Sequence, residues 1–293
     1  MLTNEQIELC NTFGFVVQRQ LFNAAEIHTI GAEAAAAIEE LYSDRQGGTH
    51  GRWTPLQKPT TPLNASLLQD ARFYDAARQL FDERIIGLVS DILLWTGDTG
   101  WHRDLDVPGN TGLKFIYYLE PLTTASGCLR VAPGSHKKLQ PDTVSPHPGD
   151  IPEGEPLRLT PESDAAVLQE LKALHESGVE TLPALAVETN PGDVIAFIMP
   201  LLHASFGGAP NRRICSTVYW AESQTSELRE ARRKEARVIQ SNHYKMFNYP
   251  EETPYCEPQW IADARDDPVR QRWVECLRDL EWINPQLNPE QAW

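Results

Sequence analysis

Trp101-His102-Arg103-Asp104, in the middle of the chain, carries the strongest indication of both fold and chemistry. If these residues form a strand or the end of one, the two-residue period places His102 and Asp104 on the same face. An imidazole nitrogen and a carboxylate oxygen so placed can both bind one metal ion. A histidine beside an aspartate in a surface loop is the ordinary alternative, so the tetrapeptide alone decides little.

A second histidine strengthens the metal hypothesis. His203 follows the apolar run Val194–Leu202, in which burying an imidazole without a partner would be costly. Two histidines and one carboxylate occupy one face of a metal ion and leave the other face open, as in non-haem Fe(II) oxygenases. Two alternatives stay open: a hydrogen-bonded core histidine, and a catalytic Zn2+ site with water as the fourth ligand.

An arginine pair, Arg212-Arg213, begins the next β-rich run, Ile214–Trp220. Alternation directs only one of the two inward, and arginine suits bidentate contact with a carboxylate. We favour Arg213, because the small Cys215 two places on leaves room for a ligand. A solvated arginine pair in a turn is the alternative.

The surrounding pattern predicts an α+β fold, a single domain over residues 1–293. Short apolar segments bounded by turn residues predict central strands in a barrel or sandwich, and stretches of high helix propensity, including Asn64–Leu94, predict flanking helices. Residues 46–62 and 137–180 are expected to form lids: glycines, prolines and threonines mark the first as a loop, and the second combines the Pro-, Gly- and Asp-rich stretch Gln140–Thr160 with a helix from about Pro161 to Glu176. The tail, residues 222–293, is expected to be helical.

Composition limits the function further. The 293 residues carry a net charge of −15, which disfavours nucleic-acid binding. The sequence has no apolar run of the length that a membrane span needs, so we expect neither a membrane span nor a signal segment. Five scattered cysteines fit a reducing compartment, so we expect a cytoplasmic protein. The oligomeric state stays open.

Beyond these residues, the chain resembles the phytanoyl-CoA dioxygenase (PhyH) family of Fe(II)/2-oxoglutarate-dependent oxygenases. The segment Gly127–Lys137 is similar to the family's stretch between its two ligand motifs. Pro191–Val194 and Leu202–Ser205 resemble its distal-histidine strand, and the opening around Gly14–Val17 resembles its start. Together these cover most of residues 1–220 in the family's order.

The resemblance implies a double-stranded β-helix (jelly-roll) core with Fe(II) held by His102, Asp104 and His203. It also implies 2-oxoglutarate as co-substrate, with its distal carboxylate at Arg213 or Arg212 and Ser205 as a hydroxyl donor. The presence of Asp104 favours hydroxylation over halogenation, since halogenating relatives have a small residue there. A metal hydrolase and a non-catalytic jelly roll remain the alternatives.

The expected reaction oxidises a small-molecule metabolite or natural-product intermediate, with O2 and 2-oxoglutarate converted to succinate and CO2. Lys114 lies in an otherwise apolar strand and should be paired, so we expect it to meet a bound carboxylate. Candidate substrate contacts are Trp53, Lys58, Trp101, Arg103 and Tyr118.

Overall fold

The structure is a computed structural model that describes residues 1–82, 84–139, 155–179, 182–208, 210–250 and 253–283. Part of the expected lid 137–180, residues 140–154 and 180, lies outside the described residues. Within the described part, Leu157–Leu159 and Leu185–Val187 are strands, and Asp164–Glu176 is a helix.

The N-terminal region consists of two helices with a strand between them, and capping residues set where each helix begins. Helix α1 (Asn4–Phe13) starts at Thr3 with a reciprocal capping box, and Gly14, at φ 87°, ends it in the left-handed region. Strand β1 (Phe15–Gln18) follows, and a second capping box at Asn23 starts α2 (Ala24–Leu41).

Eleven strands are present in the described part of the chain. After β1 these are β2 (Gly51–Pro55), β3 (Ile85–Trp95), β4 (Thr99–His102), β5 (Gly112–Tyr118), β6 (Leu129–Val131), β7 (Leu157–Leu159), β8 (Leu185–Val187), β9 (Val194–Ile198), β10 (His203–Ser205) and β11 (Arg212–Ala221). They form a six-stranded sheet in the order β1-β9-β5-β11-β3-β2 and a five-stranded sheet in the order β4-β10-β6-β8-β7.

The two sheets pack face to face, and all pairs are antiparallel except β7–β8. Phe197 and Ile116 of the larger sheet share a buried apolar cluster with Leu129 and Val131 of the smaller one. This arrangement confirms the predicted α+β class with a jelly-roll core.

Two local predictions are wrong. Residues 64–94 were expected to be helical, but helices α3 (Pro62–Ser66) and α4 (Ala71–Phe81) are followed by β3, the longest strand. The strand is buried on both faces, so its apolar run has no alternation to distinguish it from a helix. Within the expected loop 46–62, β2 pairs with β3 along the edge of the larger sheet.

The remaining helices are α5 (Asp164–Glu176), α6 (Ser226–Phe247), α7 (Pro258–Ala262) and α8 (Pro268–Asp279). The outer face of the larger sheet is covered by helices, with Trp273 of α8 and Phe73 of α4 packed near Tyr219 of β11. No helix among the described residues combines the length and apolar composition needed to cross a bilayer.

Candidate metal centre and cavity

Three predicted ligands come together at the edge of the smaller sheet. His102 ends β4 and His203 begins β10, and the two residues are direct partners across this antiparallel pair. The Nε2 atoms of His102 and His203 lie 3.7 and 3.6 Å from Oδ1 of Asp104. One ligand atom from each residue therefore lies within 4.8 Å of the others, close enough to surround a single ion.

Backbone carbonyls orient both imidazoles. Nδ1 of His102 lies 2.8 Å from the carbonyl oxygen of Gly100, and Nδ1 of His203 lies 2.9 Å from that of Leu201. A carbonyl only accepts, so each Nδ1 carries the proton and each Nε2 lone pair is directed at the centre. Burial lowers the pKa of His203 to about 4, which keeps this ring neutral and able to bind a metal at physiological pH.

Asp104 completes the donor set as an ionised carboxylate. Burial raises its pKa, but the charge and hydrogen bond of the Lys114 ammonium, together with the two neighbouring imidazoles, outweigh burial, and the pKa lies well below its ordinary value. Lys114 on β5 donates to Oδ2 at 3.1 Å, which leaves Oδ1 for the side of the histidines. Two neutral imidazoles and one carboxylate fit a divalent ion with open positions.

A cavity of about 540 Å³ opens beside these residues, between the larger sheet and α6. Of the predicted substrate contacts, Trp53, Trp101 and Arg103 line it, and so does Lys114. Lys58 lies outside this lining, in the turn after β2, and Tyr118 is buried in the core between the sheets. The guanidinium of Arg103 donates to the backbone carbonyls of Ser135 and Pro200.

The structure overturns the preference for Arg213. Arg213 lies on the outer face of β11, where its side chain is 48% exposed and Nε donates to Glu120 at 2.9 Å. Arg212 lies on the inner face and is 2% exposed. The space offered by Cys215 is on the outer face as well, because residues 213 and 215 share one side of the strand.

Arg212 sits in a polar niche next to Ser205 of β10. Nη1 donates to the Ser205 hydroxyl and to the Gly127 carbonyl, and Nη2 donates to the Gly97 carbonyl at 2.7 Å. A Cβ at Gly208 would lie 2.6 Å from Nε of Arg212, so only glycine leaves room for the guanidinium.

No described carboxylate lies within ion-pair distance of the Arg212 guanidinium. The buried Nε of this arginine has no hydrogen-bond partner in the described chain. Burial lowers the pKa of this arginine, and the nearby charges of Asp98 and Glu120 offset it only in part, which marks the cost of burying the cation. A carboxylate-bearing small molecule would neutralise the charge and satisfy the donor, so the residues fit one end of 2-oxoglutarate.

The sequence did not identify several residues of the cavity. Asp91 of β3 accepts hydrogen bonds from Ser216 at 2.5 Å and from Trp53 at 2.9 Å. Helix α6 contributes one wall of the cavity: Ile239, Asn242, His243, Met246 and Phe247. The spacing of three and four residues predicts that these side chains share one face of a helix. The sequence does not indicate which part of the protein that face packs against.

A family model described as Phytanoyl-CoA dioxygenase (PhyH) matches residues 10–214, more than half of the chain. No curated protein matches the sequence significantly. Among solved structures, HygX from Streptomyces hygroscopicus with nickel and 2-oxoglutarate bound is similar at 19% identity, with a TM-score of 0.52 over 78% of this chain and 90% of that one.

EctD from S. alaskensis is similar in two forms. The form with bound Fe has 23% identity and a TM-score of 0.52 over 75% of this chain and 77% of that one. The form with 2-oxoglutarate and 5-hydroxyectoine has 22% identity and a TM-score of 0.53 over 75% and 76%. At these identities the likeness to solved structures establishes the fold.

Proposed function

Since this chain belongs to the phytanoyl-CoA dioxygenase (PhyH) family and is an Fe(II)/2-oxoglutarate-dependent dioxygenase, we propose that it hydroxylates an unactivated C–H bond of a small-molecule metabolite or natural-product intermediate. The observation that carries the proposal is the group of His102, Asp104 and His203, of which His102 and Asp104 line a cavity of about 540 Å³. A cavity of this size suits a small molecule rather than a polymer.

His102, Asp104 and His203 hold Fe(II) in this proposal. Bound iron supplies the oxidising chemistry, in which O2 and 2-oxoglutarate give succinate, CO2 and an oxidised substrate. The protein's part is orientation: the carbonyls of Gly100 and Leu201 fix both imidazoles, and Lys114 fixes the carboxylate. Residue 104 is a carboxylate, whereas halogenating relatives have a small residue there, and this supports hydroxylation over halogenation.

Arg212 and Ser205 bind the distal carboxylate of 2-oxoglutarate in this proposal. The support is chemical: a buried guanidinium without a carboxylate partner lies beside a hydroxyl on the strand that carries His203. Lys114 adds a second positive charge facing the cavity, and a contact between its ammonium group and the co-substrate stays a prediction.

On the substrate side, we place Trp53 and Trp101 in the wall that excludes water from the reacting carbon. The indole of Trp53 is 2% exposed and is held by Asp91, so it forms a rigid surface. Trp101 packs edge-on against Phe206, with ring centroids 6.3 Å apart, and lines the cavity next to His102. Rigid aromatic walls position a substrate at little entropic cost.

The decisive experiment is anaerobic reconstitution with Fe(II) followed by addition of 2-oxoglutarate. We expect the weak visible charge-transfer band of the chelate, lost in His203→Ala and kept in the matched control His28→Ala, whose ring is exposed on α2. After admission of 18O2 and a pool of small metabolites, we expect succinate and a product carrying one 18O atom. Retention of zinc instead of iron, with no band, would support a hydrolase instead.

A further inference from the structure

One wall of the cavity comes from a part of the chain that the family model does not match. The model ends at residue 214, whereas α6 spans Ser226–Phe247. None of the predicted iron or 2-oxoglutarate contacts lies on this helix, although five of its residues line the cavity. The helix is therefore placed to contact substrate rather than cofactor.

His243 is the residue of this wall with the most defined surroundings. Its ring stacks on the indole of Trp53, with centroids 4.0 Å apart and planes 24° from parallel. Trp53 in turn donates to Asp91, which also accepts from Ser216, so the stack is anchored to β3 and β11. The imidazole is held on a rigid support, as a recognition group must be.

The hydrogen bond of His243 fixes its tautomer. Nδ1 lies 2.8 Å from the hydroxyl oxygen of Tyr255, a residue that is 1% exposed. Among the described residues, the Tyr255 hydroxyl has no other acceptor for its hydrogen. If Tyr255 did not donate to His243, this buried donor would be unsatisfied. Tyr255 therefore donates to Nδ1, and the ring proton is on Nε2.

Nε2 of His243 is left as a donor on a residue that lines the cavity. It makes no hydrogen bond to any described residue. Burial, with the nearby charge of Lys114, lowers the pKa of His243 to about 3, so at neutral pH the ring is uncharged and donates a single proton. An oxygen acceptor is the group that it can recognise.

The charged groups of the cavity are already compensated. Lys114 pairs with Asp104 at 3.1 Å and also interacts with Asp91, while Arg103 lies 3.8 Å from Asp106. An ionised substrate would have to compete with these pairs, and with the hydrogen bonds that Asp91 accepts from Ser216 and Trp53, and would lose its hydration on entry. The cavity thus favours an uncharged ligand.

We propose that His243 is a substrate-recognition residue whose Nε2–H donates to a hydroxyl or carbonyl oxygen of an uncharged small molecule. This inference rests on the proposed function, because it assigns the substrate side of the same site. It gives α6 the role of selecting the substrate, with Trp53 as the platform that holds the selecting group in place.

The binding test uses full-length protein loaded anaerobically with Fe(II) and 2-oxoglutarate. The probes are cyclohexylmethanol, cyclohexanecarboxylate and cyclohexylmethylamine, which share one ring and differ in charge, and the readout is tryptophan fluorescence. We expect the alcohol to bind tightest and to lose affinity about tenfold in His243→Phe, the loss of one hydrogen bond. His50→Phe is the matched control, because His50 also stacks on an indole of the cavity wall, that of Trp95, but does not itself line the cavity.

A second measurement needs no ligand. The ring nitrogen NMR spectrum of His243 should report the Nε2–H tautomer in the wild type and a tautomer mixture in Tyr255→Phe. Tighter binding of a charged probe, failure of the alcohol to bind, equal affinity of wild type and His243→Phe, or an Nδ1–H tautomer would each overturn the inference. Failure of the proposed function is seen separately, as absence of the charge-transfer band and of succinate.

Discussion

Replacing Arg212 by glutamine should weaken 2-oxoglutarate binding far more than replacing its neighbour Arg213. Arg212 is buried and has an unpartnered Nε, whereas Arg213 pairs with Glu120 on the outer face. The two substitutions are chemically identical and one residue apart, so each is the matched control of the other.

The expected difference follows from the environments. A carboxylate in the niche would gain two charge-assisted hydrogen bonds from Arg212, each worth about 1.5 kcal/mol or more. Losing about 3 kcal/mol raises the dissociation constant roughly a hundredfold, since about 1.4 kcal/mol is a factor of ten. The exposed pair of Arg213 is worth at most about 1 kcal/mol and does not touch the niche.

The assay is an anaerobic titration of the Fe(II)-loaded protein with 2-oxoglutarate, following the charge-transfer band. Arg212→Lys, which keeps the charge but loses the planar fork, should give an intermediate affinity. Thermal melts show whether each variant is folded, because a buried arginine also contributes packing. An Arg213→Gln variant that loses affinity while Arg212→Gln keeps it would refute the assignment.

Two further predictions test other parts of the molecule. Gly208→Ala should raise the dissociation constant of 2-oxoglutarate about tenfold, because its Cβ would lie 2.6 Å from Nε of Arg212 and displace the guanidinium; unchanged affinity in the same titration would contradict this. Hydrogen bonds from Arg72 lower the pKa of Glu26 below 4.5 and, outweighing burial, that of Asp70 below 3.8. Because the pKa values are depressed in the folded state, Arg72→Met should lower the free energy of unfolding by about 1 kcal/mol at neutral pH. Urea titrations should show this difference between the variant and the wild type vanish as the pH falls below the two pKa values. A stability difference that does not change with pH would argue against the ion pairs.

The metal centre could be predicted from the sequence because its members carry local constraints. His102 and Asp104 lie two residues apart, so a strand places both on one face, and the apolar run before His203 requires a buried imidazole to have a partner. The structure brings the three together as expected. The alternation of side chains along a strand, however, predicts only that Arg212 and Arg213 lie on opposite faces of the sheet.

Which arginine faces inward depends on tertiary contacts. β11 is held between β3 and β5, and this pairing turns Arg212, with Ser216, toward the inside. The small size of Cys215 did not indicate which arginine faces inward, because a small side chain leaves space on whichever face of the sheet it occupies. The failure at β3 has a related cause, since a strand covered on both sides loses the two-residue pattern.

Recognition of His243 required the fold itself. Forty residues separate it from His203, and its role depends on α6 crossing the cavity opposite Trp53. A helical face of apolar and aromatic residues has the same pattern whether it covers a core or a substrate. Only the neighbouring hydrogen bond of Tyr255 gives the imidazole a defined chemical character.

The position of His102 links metal occupancy to the integrity of the smaller sheet. β4 is a four-residue edge strand, and among the described strands β10 alone pairs with it in that sheet. An ion bound by His102 and His203 would cross-link this edge strand to the next one, at the point where the two are direct partners. Demetallation would then release a strand edge with unpaired backbone groups, the kind of surface on which chains associate. Storage without metal should therefore promote aggregation that begins at β4, and reloading with iron should suppress it.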